Sequence, residues 1–166
     1  GVLIAPDQVL TAAHCVAEPD GTVATPADFT FVAGWLRGEA ADAVTVKSIW
    51  IHPSAYASGK LNILYDIARL TLERATTVAP LLVANLHVSA PFGIVGYSTK
   101  RPHMLGAAFD CESERLSNII QLDCAVLPGN SGSPVLTQTS NGWSVTAIVS
   151  AMGRNGALAV PIPSLD

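Results

Sequence analysis

PGNSGSPV, residues 128–135, sets a single serine, Ser131, between two glycines and closes each side with a proline. Gly, Asn, Ser and Pro all favour turns, so a plain surface turn or a flexible linker is one reading. The other is a nucleophile loop, where small residues let the backbone come close to a reacting group. The octapeptide alone leaves both open, and the rest of the chain has to choose.

The 166 residues are 49% hydrophobic, which suits a globular protein with a real core. Only 13% are charged, the formal net charge is −4 and no Lys/Arg cluster exists, so a nucleic-acid footprint is unsupported and no nucleic-acid partner is expected. No apolar run approaches the roughly 18 residues of a membrane span. The opening GVLIAP has neither the basic leader nor the cleavage site of a signal peptide; it reads as a strand caught in its middle. The cysteines are Cys15, Cys111 and Cys124, and no CxxC or His/Cys cluster has metal-ligand spacing, so no metal site is expected. Nothing in the sequence sets an oligomeric state.

Between Gly, Pro, Asn and Asp punctuation run short apolar segments: QVLTA, FTFVAGW, AVTVKSIWI, ILYDIARLTL, FGIVGYS, IIQLDCAVL, SPVLTQ, SVTAIVSA and ALAVPI. Their lengths and their Val, Ile and Thr content predict strands. No segment carries a long helical period with caps. The pattern is that of an all-β sandwich or barrel. Residues 73–91, irregular and with two prolines, are the expected crossing between two halves.

Two further segments belong with the octapeptide. In VLTAAHCV, residues 9–16, small residues precede His14, so a tight turn presents the imidazole. A histidine in an ordinary strand-end turn is the alternative. In LYDIARLTL, residues 64–72, Asp66 heads an apolar strand. A carboxylate there wants a donor, and an imidazole N–H would serve; an exposed strand-start Asp is the alternative. If Ser131 is a nucleophile, a base must take its proton and a third group must orient that base. The chain order is then His14, Asp66, Ser131.

In that order, LTAAHC, YDIARLTL and GNSGSP resemble the three signature blocks of the trypsin/chymotrypsin-like serine peptidases, and IWIHPSAY, residues 49–56, resembles the loop leading to that family's aspartate. The resemblance covers nearly the whole chain. It implies two antiparallel six-stranded β-barrels, with residues 1–80 holding His14 and Asp66 and residues 81–166 holding Ser131. It implies a serine endopeptidase acting on protein or peptide substrates, without metal or organic cofactor, in a secreted or periplasmic setting. The amides of Gly129 and Ser131 would form the oxyanion hole. Ser150 aligns with a serine that supports the aspartate and lines the substrate strand. Ala125, six residues before the nucleophile, is expected to form an uncharged pocket with Val126 and Met152. Neither an acid at Ala125 nor a histidine at Val149 is present to favour basic or glutamyl substrates. Asn130 and Ser133 are more similar to bacterial members such as the glutamyl endopeptidases than to the animal digestive enzymes. Those carry an Asp at the Asn130 position that pairs with a new N-terminal ammonium. The short interval from Asp66 to Ser131 also suggests a compact bacterial member.

The family pairs the cysteine after its histidine with an upstream one. That partner of Cys15 would lie before Gly1, so the first barrel is expected to be incomplete at its N-terminus. Cys111 and Cys124 flank a polar loop and a strand leading toward the nucleophile, and a disulfide between them is expected, two buried thiols being the alternative. His52, His87 and His103 read as loop or surface residues, and Trp35, Trp50 and Trp143 as core or strand-face residues. Two rival functions remain. One is a non-catalytic homologue that keeps the fold as a protein-binding module. The other, an α/β-hydrolase esterase, needs G-x-S-x-G with the serine first in order, and the order here is wrong.

Overall fold

The computed structural model describes residues 1–86 and 91–163; His87 lies outside them. The chain is built almost entirely of strands. The first set is β1 (Val2–Ala5), β2 (Gln8–Thr11), β3 (Thr30–Ala33), β4 (Asp42–Ile51), the short pair β5 (Tyr56–Ala57) and β6 (Lys60–Leu61), and β7 (Ala68–Leu72). The second is β8 (Leu82–Val83), β9 (Phe92–Ser98), β10 (Arg101–Cys111), β11 (Ser113–Leu116), β12 (Ile119–Leu122), β13 (Pro134–Thr139), β14 (Gly142–Gly153) and β15 (Gly156–Pro161).

Side-chain alternation explains the pairing. In β7, Ala68, Leu70 and Leu72 are buried while Arg69 points to solvent. The strand joins a five-stranded antiparallel sheet of order β1-β2-β7-β4-β3. In β14 the run from Ser144 to Ser150 is buried on both faces, as expected of a strand covered on both sides. It lies within an eight-stranded sheet of order β10-β9-β13-β14-β15-β12-β11, with β8 parallel to β14. The result is the all-β, two-barrel architecture expected from the sequence, with the first sheet forming a half-barrel.

Each sheet encloses its own core. Leu3, Val9, Val46 and Leu72 fill the first; Phe92, Ile120, Leu122 and Val135 fill the second. A third cluster joins them, with Val2, Leu10, Ala12 and Ile67 packing on Leu136, Val145, Ile148 and Val160. This shared core fixes the ends of β2 and β7 against β14, where the candidate site lies.

Two features differ from the sequence reading. The run ILYDIARLTL is not one strand: residues Ile63–Tyr65 form a 3-10 turn and β7 starts only at Ala68. The Asn62 side chain accepts a hydrogen bond from the Leu64 amide at 3.3 Å and starts the turn. The other difference is β10, eleven residues long, which the sequence did not signal. It is an edge strand, largely exposed and carrying Pro and Gly, so it lacks the alternation that marks a half-buried strand.

Cys111 and Cys124 form the expected disulfide, with Cα atoms 5.3 Å apart, and Cys15 is free and exposed. The bridge ties the end of β10 to the segment that leads from β12 into the nucleophile loop. Closing a loop of 13 residues restricts the unfolded chain by about 3 kcal/mol on the chain-entropy model. The double variant Cys111→Ser/Cys124→Ser is therefore expected to lose stability of that order in urea titration. An unchanged unfolding midpoint would contradict it.

Candidate active site

His14 and Asp66 are carried by consecutive neighbours in the first sheet. The chain leaves β2 and enters a 3-10 turn, Ala13–Cys15, whose alanines at 12 and 13 are fully buried and hold the turn against the core. Asp66 follows the 63–65 turn and is itself completely buried. A buried carboxylate must be paired, and this one is held three ways. Its Oδ1 accepts from the His14 amide at 2.9 Å, and its Oδ2 lies 2.6 Å from the His14 ring Nδ1. Oδ2 also accepts from the Ser150 hydroxyl at 2.5 Å, across from β14.

The electrostatics follow from this seating. Burial raises the Asp66 pKa, but the His14 ring, the Ser150 hydroxyl and the His14 amide together outweigh it and hold the carboxyl below its ordinary range. The hydrogen bond to Asp66 is also the main reason the His14 pKa is raised; the Cys15 thiol adds to it and burial opposes it. An ionised Asp66 accepts only, so the neutral ring keeps its proton on Nδ1 and presents Nε2 as the base. Nε2 sits 3.8 Å from the Cys15 sulfur.

Ser131 comes from the second sheet, on the loop between β12 and β13. Gly129 and Gly132 have φ of +97° and +78° there, the left-handed region that glycine enters without steric cost. At Gly132 the packing is as demanding as the conformation. A Cβ would fall 2.3 Å from the Thr11 Oγ1 and 3.3 Å from the Ala12 amide. Only glycine lets the nucleophile loop lie against the turn that carries His14. The Gly132 amide donates to Val149 O at 2.8 Å, and the Val149 amide donates to Ser133 O at 2.9 Å, stitching the loop to β14. Among the described residues, the amides of Gly129 and Ser131 donate no hydrogen bond.

The side chains of His14 and Ser131 are not joined by a hydrogen bond. The Ser131 hydroxyl donates instead to Ser150 O at 3.4 Å, a long bond. Ser150 thus touches both halves of the site, through its hydroxyl to Asp66 and its carbonyl to Ser131. Catalytic hydrogen bonds are often loose before substrate binds.

Of the four residues expected to form the specificity pocket, Ala125 lines a cavity of about 310 Å³ with Ile94, Lys100, Arg101, Met104 and Asn130, on the β9–β10 side of the loop. Val126 is buried in the second core, Ser150 faces Asp66, and Met152 is 64% exposed on β14. Gly129 and Ser131 line a different groove of about 380 Å³, walled by Phe31, Val32, Tyr97 and Leu105 and free of charged side chains. Sequence reasoning missed the support beneath the loop. A Cβ at Gly96 would come within 1.9 Å of the Ser133 Oγ, so these two positions share one space. A glycine inside the strand run FGIVGYS was the available sign of such a close approach. His52 stacks on Tyr65, ring centroids 4.9 Å apart, and takes no part in the site. No helix among the described residues is long and apolar enough to cross a membrane, and no cluster of metal-ligating side chains occurs among them.

Comparison with known proteins agrees with this arrangement. A trypsin from Saccharopolyspora erythraea is 33% identical over 86 residues, covering 51% of this chain and 34% of that protein. The chain thus matches about a third of the length of that relative. The crystal structure of a thermostable serine protease, AL20, from an extremophilic microorganism superposes with a TM-score of 0.76 over 96% of this chain and 81% of that one, at 19% identity. The family model of the trypsin-like peptidase domain matches residues 1–148, which include the β2 turn, the buried carboxylate and the glycine-flanked serine. The chain belongs to the family of trypsin-like peptidase domains.

Proposed function

We propose that the protein is a serine endopeptidase working through His14, Asp66 and Ser131. The observation that carries this is the fully buried Asp66 bonded to the ring of His14, beside a glycine-flanked loop serine whose own amide, like that of Gly129, is not taken up by an acceptor among the described residues. Ser131 Oγ attacks the scissile carbonyl while His14 Nε2 takes its proton. The oxyanion is received by the Gly129 and Ser131 amides. The protonated ring then passes its proton to the leaving amine, and an acyl-enzyme remains on Ser131. Water, activated by His14 in the same way, releases it. Asp66 keeps the ring in the productive tautomer and stabilises the imidazolium, and Ser150 holds Asp66. The chemistry calls on side chains and backbone amides alone. The Ser131 hydroxyl must turn from Ser150 O to the imidazole, a rotation about one side-chain bond.

A fluorophosphonate probe tests the reading directly. Labelling at Ser131 supports it; a folded protein that stays unlabelled is the binding module instead. The disulfide fits an oxidising compartment, and so a secreted or periplasmic enzyme.

The uncharged groove around Ser131 sets an expectation for substrates. With no ionised side chain lining it, and with neither an acid at Ala125 nor a histidine at Val149, cleavage should favour small or apolar residues before the scissile bond. A peptide-library profile dominated by Lys, Arg or Glu at that position would contradict this.

A further inference from the structure

We infer that Asn130 is a positioning residue for the oxyanion hole, an uncharged latch that fixes the nucleophile loop to the end of β9. The inference rests on the serine-peptidase reading and goes beyond it. Asn130 stands between the two donors, Gly129 and Ser131. Those amides must point at one spot while bonded to nothing in the protein, so something else must fix the peptide groups that carry them.

The Asn130 side chain is bonded at both ends. Its Oδ1 accepts from the Leu127 amide at 2.7 Å, and its Nδ2 donates to Tyr97 O at 2.8 Å. The backbone repeats the pattern. The Asn130 amide donates to Leu127 O and the Ser133 amide to Asn130 O, each at 3.0 Å, and the Thr99 amide donates to Pro128 O at 2.8 Å. Both neighbours of Gly129 are therefore anchored on residues 97–99. Tyr97 is held in turn, since its hydroxyl donates to Trp35 O at 2.5 Å, on the chain that follows β3 in the other sheet. The amide has room because position 96 is glycine; a Cβ there would stand 3.3 Å from Nδ2.

The latch requires one acceptor and one donor on the same short side chain, which an amide supplies and a carboxylate does not. Asn130→Asp keeps the shape and loses the donor. It sets a carboxylate oxygen against the Tyr97 carbonyl, two acceptors facing each other. When protonated, the same carboxyl donates again and rebuilds the bond.

The test is steady-state hydrolysis of a small apolar peptide substrate by the wild type, Asn130→Asp and Asn130→Ala across pH. At pH 8 we expect Asn130→Asp to lose about 100-fold in kcat, the scale of a misplaced or lost oxyanion donor, with KM nearly unchanged. Its kcat relative to wild type should recover as pH falls. His14 titrates in both proteins, and any rise in its pKa caused by the new carboxylate would deepen the deficit as pH falls, the opposite of the recovery expected here. Asn130→Ala should show a deficit that does not vary with pH. The trend is read within one variant, so a uniform loss of folded protein cancels. A wild-type kcat for Asn130→Asp at pH 8, or a deficit equal at every pH, overturns the latch. If wild type is labelled at Ser131 and Asn130→Asp is unaffected, the inference alone fails; if wild type is never labelled, the underlying reading fails with it.

Discussion

Ser131→Ala is expected to abolish fluorophosphonate labelling and to lower peptide hydrolysis by about six orders of magnitude in kcat, the scale seen when the nucleophile of such a triad is deleted. At about 1.4 kcal/mol per tenfold, that is roughly 8 kcal/mol of barrier. The fold should not register the change. Ser131 is only partly buried, and its hydroxyl makes a single 3.4 Å bond, so the unfolding midpoint should stay near wild type. The combination of lost activity and kept stability is the diagnostic result. Labelling that persists in the variant would move the nucleophile elsewhere.

Asp66→Asn ranks next, with an expected fall in kcat of about 10⁴. The amide is almost the same size, and its oxygen can still accept from the His14 amide or the Ser150 hydroxyl. Its NH2 group, turned to the ring, makes Nδ1 an acceptor and moves the imidazole proton to Nε2, where it blocks attack. The pH profile carries a second signature. In the wild type the His14 pKa is raised above 6.5 by Asp66, so the base is protonated, and idle, until pH rises through that raised value. Activity should have an alkaline optimum, and in Asp66→Asn the residual acid limb should move down toward the ordinary histidine range. The linkage to stability has two signs. The raised His14 pKa stabilises the fold fully below pH 6.5, and that contribution is lost as pH rises through the raised value. The lowered Asp66 pKa stabilises the fold above pH 3.8, and that contribution is lost as pH falls through the lowered value. The pair therefore supports the fold best in mildly acidic solution, where a protonated His14 is expected to leave hydrolysis slow. Stability and rate profiles that peak together would contradict the assignment.

Much of this was legible in the residues because the site is written in short local blocks. AAHC gives a turn of small residues under an imidazole. GNSGS gives a loop that needs left-handed backbone at 129 and 132, and the structure has it there. What stayed illegible is contact between distant segments. Nothing in a linear reading says that the Asn130 side chain meets a carbonyl 33 positions earlier, or that Ser131 rests on Ser150 O. The specificity residues show the same limit. Ala125 was placed by its offset from the nucleophile, and only the structure shows the β9–β10 cavity that it lines and the exposure of Met152. Pocket walls are assembled by loops whose paths depend on tertiary packing. The exposed edge strand β10 escaped notice for a related reason, since with few of its residues buried no alternation was imposed on it.

The shared space at Gly96 and Ser133 ties the two positions together as sites of substitution. One small volume beneath the nucleophile loop holds a hydroxymethyl group from position 133 because position 96 contributes nothing. A side chain introduced at 96 while Ser133 remains meets a collision, whereas glycine at 133 removes two of the three close contacts and leaves only the Asn130 Nδ2 at 3.3 Å. The effects of changing the two positions are therefore expected not to add.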